Sequence, residues 1–247
     1  MWTVAVTTAP RRECTLLPCL ESLADCGWDP VVFAEPNSTT NPYLTIHHPQ
    51  KLGVWHNWLY SVRWCLSNTD SPVIMTVQDD CLFHPQSKEY IETQLWPENC
   101  GFISLYTPKH YTKPSGIHRI FTRSLWGACA LVWPRQVLES LLTLPLINSW
   151  MGVGPKSKNP VVMERRRADS SLIANSDTAI GKLVNQLNLA MYFVNPSLVD
   201  HFAAYSTIGH GGNKGRRNAS VIADPSLPLS YYGLCQTQNI NDANKSA

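Results

Sequence analysis

The sequence predicts an α/β fold in which helices flank a mainly parallel sheet. Three short apolar runs, at residues 2–8, 31–35 and 73–77, have the length and the β-branched content of buried strands. Between them, residues 13–26 and 53–66 carry apolar side chains at helical spacing. Because strands and helices alternate, we expect right-handed crossovers between parallel strands.

Proline, glycine and short polar residues mark where the predicted strands and helices begin and end. Pro10 follows the first strand, and Gly27 ends the first helix. Residues 36–52 are rich in Pro, Asn, Ser and Thr and are predicted to be a loop. The third strand leads directly into a polar Gln-Asp-Asp sequence.

The second half of the chain has a less regular pattern. It predicts strands at 101–106, 117–123, 126–133 and 190–195, and helices at 134–144 and 176–189. Residues 152–170 and the Gly-rich stretch from His210 are basic and predicted to be loops. We expect one domain over residues 1–227, followed by a poorly ordered tail at 228–247.

Composition excludes several classes of protein. Charged residues make up 15% of the 247 residues and hydrophobic residues 44%, whereas disordered and coiled-coil chains are rich in charge. The net charge of +2 is small and no groove-reading or RNA-binding motif is present, so nucleic-acid binding is not expected. Nine of the basic residues lie between 155 and 217, which favours a small anionic ligand.

The cysteine pattern and the start of the chain predict a cytoplasmic location. The eight cysteines lack the CxxC pairs of zinc sites, and most lie within apolar patterns, as expected of reduced core thiols. The chain opens on a strand pattern rather than a charged leader, and no apolar run is long enough to span a membrane.

Polar side chains follow each of the first three strands. These are Thr7-Thr8, Glu35 and Asp79-Asp80. Because ligands of parallel sheets bind at the carboxyl ends of the strands, we expect the three clusters to converge on one crevice. Two adjacent carboxylates after a buried strand require a cation, and a hard divalent ion bound to a diphosphate would supply it.

Several segments resemble the GT-A glycosyltransferases, and they do so in the order of that fold. The segment PVIMTVQDDCLFHP resembles the metal-binding DxD segment of the family, with Gln78 at the first acidic position. The other segments that resemble the family, within residues 2–212, are TVAVTTAPRR, VVFAEPNS, KLGVWHNWLYSV, SLWGACALVWPRQVLESLL, NSDTAIGKLVNQL and NPSLVDHFAAYSTIGHGG. The last resembles a segment of inverting N-acetylglucosaminyltransferases.

The resemblance implies a fold, an activity and a set of site residues. The fold would be a Rossmann-like, mixed but mainly parallel sheet, with a nucleotide-binding half at 1–100 and an acceptor half at 101–227. The activity would be metal-dependent and inverting transfer of a hexosyl or N-acetylhexosaminyl group to a hydroxyl acceptor, from a nucleotide sugar, with UDP-sugars favoured and Mn²⁺ or Mg²⁺ as cofactor. The nucleotide-sugar contacts would be Thr8, Glu35, Asn57, Gln78, Asp79 and Trp126.

The resemblance also suggests the metal ligands and the base. Asp80 would bind the metal together with His201, with His210 as the alternative histidine. Asp177, at the start of a helix, would be the base that inversion requires on the face opposite the leaving group. Asp200 is the second candidate for the base, although it could instead orient the ring of His201.

Two other functions remain open at this stage. A nucleotidyltransferase would also pair a carboxylate-bound metal with a nucleotide, although residues 7–12 lack its Gly-rich phosphate loop. A catalytically decayed nucleotide- or carbohydrate-binding protein would explain Gln78 at an acidic position.

Overall fold

The computed structural model describes residues 2–109, 111, 113–121, 125–150, 164, 176–202 and 221–234. An eight-stranded sheet runs through these residues in the order β3-β2-β1-β4-β8-β6-β9-β7, and β10 and β5 form a separate antiparallel pair. The strands are β1 (Thr3–Thr8), β2 (Pro30–Ala34), β3 (Thr45–His47), β4 (Val73–Gln78), β5 (Cys81–Phe83), β6 (Cys100–Ser104), β7 (Gly116–Ile120), β8 (Ala130–Pro134), β9 (Ala190–Asn195) and β10 (Val199–His201).

The expected fold class, a mixed and mainly parallel sheet flanked by helices, is confirmed. β1 pairs in parallel with both β2 and β4, and β2 and β6 pair in parallel with β3 and β9, respectively. β8 is antiparallel to β4 and β6, and β7 is antiparallel to β9. Because β8 pairs with β4, the two predicted halves of the chain share one continuous sheet.

Helices cover both faces of this sheet and enclose two apolar cores. The helices are α1 (Leu16–Asp25), α2 (Val54–Asn68), α3 (Ser87–Thr93), α4 (Arg135–Thr143), α5 (Pro145–Ser149) and α6 (Ser176–Gln186). Helices α1 and α3 pack in one core, whereas α2, α4, α5 and α6 pack in the other. Strand β1 contributes alternately to the two, with Val4 and Val6 in the first core and Ala5 in the second.

Three of the expected segments differ from the structure. The predicted loop at 36–52 contains strand β3, a short segment with little apolar content to reveal it. The strand expected at 126–133 begins only at Ala130, because Gly127 has a φ of +77° and turns the chain before the strand starts. The strand expected at 117–123 ends at Ile120 in the described residues.

Part of the segment expected to be a poorly ordered tail is packed against the first core. Leu229–Tyr232 forms a 3₁₀ helix, and Leu229 and Leu234 are buried in that core. Nε2 of His84 lies 3.2 Å from the carbonyl oxygen of Asp224 and 3.0 Å from that of Leu227. Residues 235–247 lie outside the described residues.

None of the described helices is both long enough and apolar enough to cross a membrane. The described cysteines are all free thiols, as expected, and all except Cys14 are buried.

Candidate functional site

The carboxyl ends of β1 and β4 meet through a buried pair of side chains. The hydroxyl of Thr8 donates to Oδ2 of Asp79 at 2.5 Å, and the backbone N–H of Asp79 donates to the carbonyl of Thr7 at 3.2 Å. Parallel pairing of β1 with β4 puts both strand ends at the same edge of the sheet. The predicted convergence of these two polar clusters is therefore confirmed.

Arg11 binds both carboxylates of the acidic pair, and the sequence did not single it out. It lies in the loop between β1 and α1, and its side chain is only 12% exposed. Its Nε donates to Oδ1 of Asp79 at 2.9 Å, and its Nη2 contacts Oδ1 of Asp79 and lies 2.9 Å from Oδ2 of Asp80. The Arg-Arg pair after the first strand is the signal that could have indicated it.

The structure brings His201 to Asp80, as the resemblance implied. Nε2 of His201 lies 3.1 Å from Oδ2 of Asp80. Strand β10 positions the ring because it pairs with β5, which follows the acidic pair directly, with His201 opposite Cys81. The N–H of Phe202 then donates to the carbonyl of Asp80 at 3.1 Å, which fixes the end of β10 at this point.

Burial and the neighbouring charges shift the pKa values of the three ionised groups. Burial raises the pKa of Asp79 despite its ion pair with Arg11. Burial also opposes ionisation of Asp80, but the hydrogen bond and the charge of His201, together with the charge of Arg11, hold its pKa below the ordinary value. For Arg11, burial opposes the charge, while Asp79 and Asp80 raise the pKa above the ordinary value.

Asp177 is connected to this site through Gly127 and Tyr106. Asp177 lies in the first turn of α6, and its Oδ2 accepts the backbone N–H of Gly127 at 2.8 Å. Gly127 packs so closely on Tyr106 that an added Cβ would lie 2.6 Å from Cε1 of the ring. The Tyr106 ring is in turn 6.1 Å from the ring of His201, measured between centroids.

Trp126 precedes Gly127 and presents an apolar surface to solvent. Its side chain is 53% exposed, whereas the side chains of Trp133 and Trp150 are buried. Since sugar rings stack on exposed aromatic faces, this exposure is compatible with the sugar contact predicted for Trp126.

Two predicted nucleotide contacts form hydrogen bonds within the protein. The carboxylate of Glu35 accepts the N–H of Leu52 at 3.1 and 2.9 Å and that of Gly53 at 2.7 Å, just before α2 begins. The amide of Asn57 donates to the carbonyl of Phe33 at 3.1 Å, and its Oδ1 lies 2.9 Å from Nε2 of His48. Both side chains link the end of β2 to the first turn of α2.

The remaining predicted residues lie partly within the described chain. Gln78 is the last residue of β4, paired with Thr7 of β1, and is half-buried next to the acidic pair. Asp200 is buried in β10, opposite Leu82. His210 and the basic loops at 152–163, 165–170 and 210–217 lie outside the described residues.

The side chains of the site have the chemistry of ligands for a divalent cation, although the guanidinium of Arg11 contacts both carboxylates in this structure. Within the described residues, no three His, Cys, Asp or Glu side chains are arranged to hold a metal ion. However, Oδ1 of Asp80 is buried and has no hydrogen-bond partner in the described part of the chain. Carboxylate and imidazole are ligands that Mn²⁺ accepts, so Asp80 and His201 would hold the ion.

The two carboxylates lie in a buried site where electrostatic interactions are stronger than in water. Among the described residues, Arg11 places its positive charge against both of them.

Comparison with known proteins gives remote structural similarity only. No protein-family model and no curated protein matches the sequence. The structure of A197 from STIV is similar at 12% identity and a TM-score of 0.44, covering 82% of this chain and 85% of that one. A mutant Drosophila β-1,4-galactosyltransferase 7, in complex with manganese, UDP-Gal and xylobiose, is similar at 9% identity and a TM-score of 0.45, covering 87% and 76%.

HddC from Yersinia pseudotuberculosis is also similar over part of the chain. The identity is 9% and the TM-score 0.35, with 56% of this chain and 79% of HddC covered. Similarity at these levels does not assign the chain to a family or an activity.

Proposed function

We propose that the protein is a glycosyltransferase that transfers a sugar from a nucleotide sugar, with a UDP-sugar as the favoured donor, to a hydroxyl acceptor. The observation that carries this proposal is the buried acidic pair at the end of β4, which receives His201 from the far end of the chain. A buried pair of carboxylates is costly unless cations meet it, and a cation bound there would face the crevice where sheet ligands bind.

The acidic pair and its neighbours would bind the donor. Asp80 and His201 would hold a divalent ion, and such an ion offsets the negative charge that develops on a departing diphosphate. The bond from Thr8 keeps Asp79 in a fixed orientation beside it. Gln78, at the strand end, would donate its side-chain amide to a ribose hydroxyl.

The second group of residues would bind the acceptor and activate it. Asp177 would take the proton from the acceptor hydroxyl at Oδ1, while the N–H of Gly127 fixes Oδ2. Trp126 would stack on a sugar ring, since its side chain is exposed and it precedes Gly127, whose N–H binds this carboxylate. Attack from this side, opposite the diphosphate, would invert the configuration at the anomeric carbon.

The donor site can be tested by calorimetry. UDP would be titrated into the protein with Mn²⁺, with EDTA, and in an Asp80→Asn variant, and the exposed Asp70→Asn would serve as a control with the same change of charge. We expect micromolar binding in wild type and Asp70→Asn, and at least about a tenfold loss with EDTA or in Asp80→Asn, which is about 1.4 kcal/mol. Absence of binding to UDP, GDP and CMP would contradict the proposal.

The product separates this activity from the alternatives. Sugar transfer releases a nucleoside diphosphate, whereas nucleotidyl transfer releases pyrophosphate. Binding of UDP without consumption of any UDP-sugar over a long incubation would instead indicate a decayed binding protein.

A further inference from the structure

Arg11 contacts the two carboxylates to which a divalent ion would bind in the proposed function. Its guanidinium contacts Oδ1 of Asp79 and Oδ2 of Asp80 at once. Oδ2 of Asp80 is shared with Nε2 of His201. A divalent ion bound to these carboxylates would compete with the guanidinium for the same oxygen lone pairs.

The contacts of the cluster leave one carboxylate oxygen without a partner. Arg11 contacts Oδ1 of Asp79 and Oδ2 of Asp80, and His201 also lies against Oδ2 of Asp80. The buried Oδ1 of Asp80 has no hydrogen-bond partner among the described residues. An unpaired buried carboxylate oxygen is costly, so this oxygen can accept a further cation or donor.

Arg11 belongs to the loop between β1 and α1 and not to a strand or a helix. Residues 12–14, which follow it, are exposed, and helix α1 begins only at Leu16. Arginine has a long flexible stem, so the guanidinium can swing towards the crevice without a rearrangement of the sheet. There it would meet a diphosphate, whose oxygens match its fork of donors.

We propose that Arg11 is the resident counter-ion of the acidic pair and exchanges with the divalent cation, which displaces it from Asp79 and Asp80. The exchange itself requires only the metal. We also expect the released guanidinium to bind the donor diphosphate, and this step rests on the proposed function. Metal and nucleotide then bind with positive coupling, because each favours the released position of Arg11.

Binding of Mn²⁺ alone tests the exchange. Free Mn²⁺ would be measured by electron paramagnetic resonance during titration of wild type, Arg11→Gln and Arg12→Gln, the last being an exposed arginine of the same loop. We expect Arg11→Gln to bind Mn²⁺ about tenfold more tightly than wild type or more, because a competing cation is removed, and Arg12→Gln to be unchanged. Equal or weaker binding by Arg11→Gln would overturn the proposal.

Thermal unfolding gives a second readout that does not depend on activity. Arg11→Gln leaves two carboxylates without their guanidinium, so its Tm should fall, and Mn²⁺ should raise that Tm more than it raises the Tm of wild type. If Arg11→Gln does not fold, Arg11→Lys replaces it. A lysine keeps the charge but lacks the fork that spans both carboxylates, so Mn²⁺ should bind more tightly than in wild type; unchanged affinity would overturn the proposal.

A UDP titration at saturating Mn²⁺ separates this inference from the proposed function. Tighter Mn²⁺ binding in Arg11→Gln, with no nucleotide binding in any variant, would support the exchange and contradict the proposed function. UDP binding by wild type, together with equal Mn²⁺ affinities of wild type and Arg11→Gln, would support the proposed function and contradict the exchange. With both correct, UDP should raise the Mn²⁺ affinity of wild type by a larger factor than that of Arg11→Gln.

Discussion

Nε2 of His201 lies 3.1 Å from Oδ2 of Asp80, so the candidate site combines the end of β4 with the end of the last strand in the described chain. The pairing of β10 with β5 makes this contact possible, because β5 follows the acidic pair without a connecting loop. Arg11 and His201 both contact Oδ2 of Asp80. Asp80 therefore joins the loop between β1 and α1 to strand β10.

The acid dependence of stability should report on Asp80. Its folded-state pKa is lowered, so its contribution is present above the ordinary Asp pKa of about 3.9 and is lost as the pH falls through the lower folded value. The pKa of Asp79 is raised in the folded state, so its contribution to the unfolding free energy falls as the pH rises. We expect Asp80→Asn to lose about 1–3 kcal/mol of unfolding free energy at pH 7, and less as the pH approaches 2.

Urea unfolding between pH 2 and pH 7, in the presence of EDTA, would measure this effect. Asp70→Asn is the control, because it removes an exposed carboxylate. Parallel stability curves for the two variants across this range would contradict the role assigned to Asp80.

The contact between Gly127 and Tyr106 should make Gly127→Ala unusually destabilising. A Cβ there would lie 2.6 Å from the Tyr106 ring, at a residue with a φ of +77°. Gly233 has a similar φ of +72° but no heavy atom within 4 Å of its Cβ position, so Gly233→Ala reports the backbone strain alone. We expect Gly127→Ala to cost about 1–3 kcal/mol more than Gly233→Ala in urea unfolding. Equal costs would show that Tyr106 moves aside freely.

The carboxylate of Glu35 should stabilise the start of α2. Its Oε1 accepts the N–H groups of Leu52 and Gly53, and its Oε2 accepts that of Leu52 at 2.9 Å. Glu35→Gln removes the negative charge and places an N–H donor against the N–H of Leu52. The expected loss is about 1–3 kcal/mol, measured as a lower midpoint of thermal or urea unfolding. Glu139→Gln, which removes an exposed ion pair with Arg135, should cost about 0.5 kcal/mol or less. A similar small cost for Glu35→Gln would argue against this role.

The reactivity of the cysteines should follow their burial. Burial raises the pKa of Cys26, Cys65 and Cys100 to about 12, which leaves little reactive thiolate at pH 8. Cys14 is exposed in the loop before α1. We expect brief iodoacetamide treatment of the native protein to label Cys14 but not these three. Peptide mass spectrometry would identify the labelled sites, with urea-unfolded protein as the control; native labelling of Cys65 would contradict the packing described.

The elements that the sequence predicted are those whose signals are local. Strand β1, helix α2 and strand β4 each carry a complete apolar pattern of the right period, bounded by residues that end regular structure. Strand β3 has three residues and an exposed last position, so its pairing with β2 leaves no periodic trace. The turn before β8 depends on the left-handed conformation of one glycine.

The site was predictable where it depends on strand ends and not where it depends on long side chains. Parallel pairing alone places Thr8 next to Asp79, and the resemblance to glycosyltransferases supplied His201 as the partner of Asp80. The contact of Arg11 with both carboxylates depends on how a flexible side chain crosses the crevice, which no spacing in the sequence encodes. The bond from Gly127 to Asp177 depends on the folded path of the chain for the same reason.

The packed segment 221–234 also sets how far the chain can be shortened. The carbonyl of Leu227 lies 3.0 Å from Nε2 of His84, and the N–H of Leu229 donates to Oε1 of Gln86 at 2.8 Å. The segment therefore packs on the residues that connect β5 to α3. A chain cut after residue 220 would lose Leu229 and Leu234 from the first core and expose an apolar surface prone to self-association. A chain cut after Leu234 keeps that surface covered and retains every side-chain contact of the acidic pair described above.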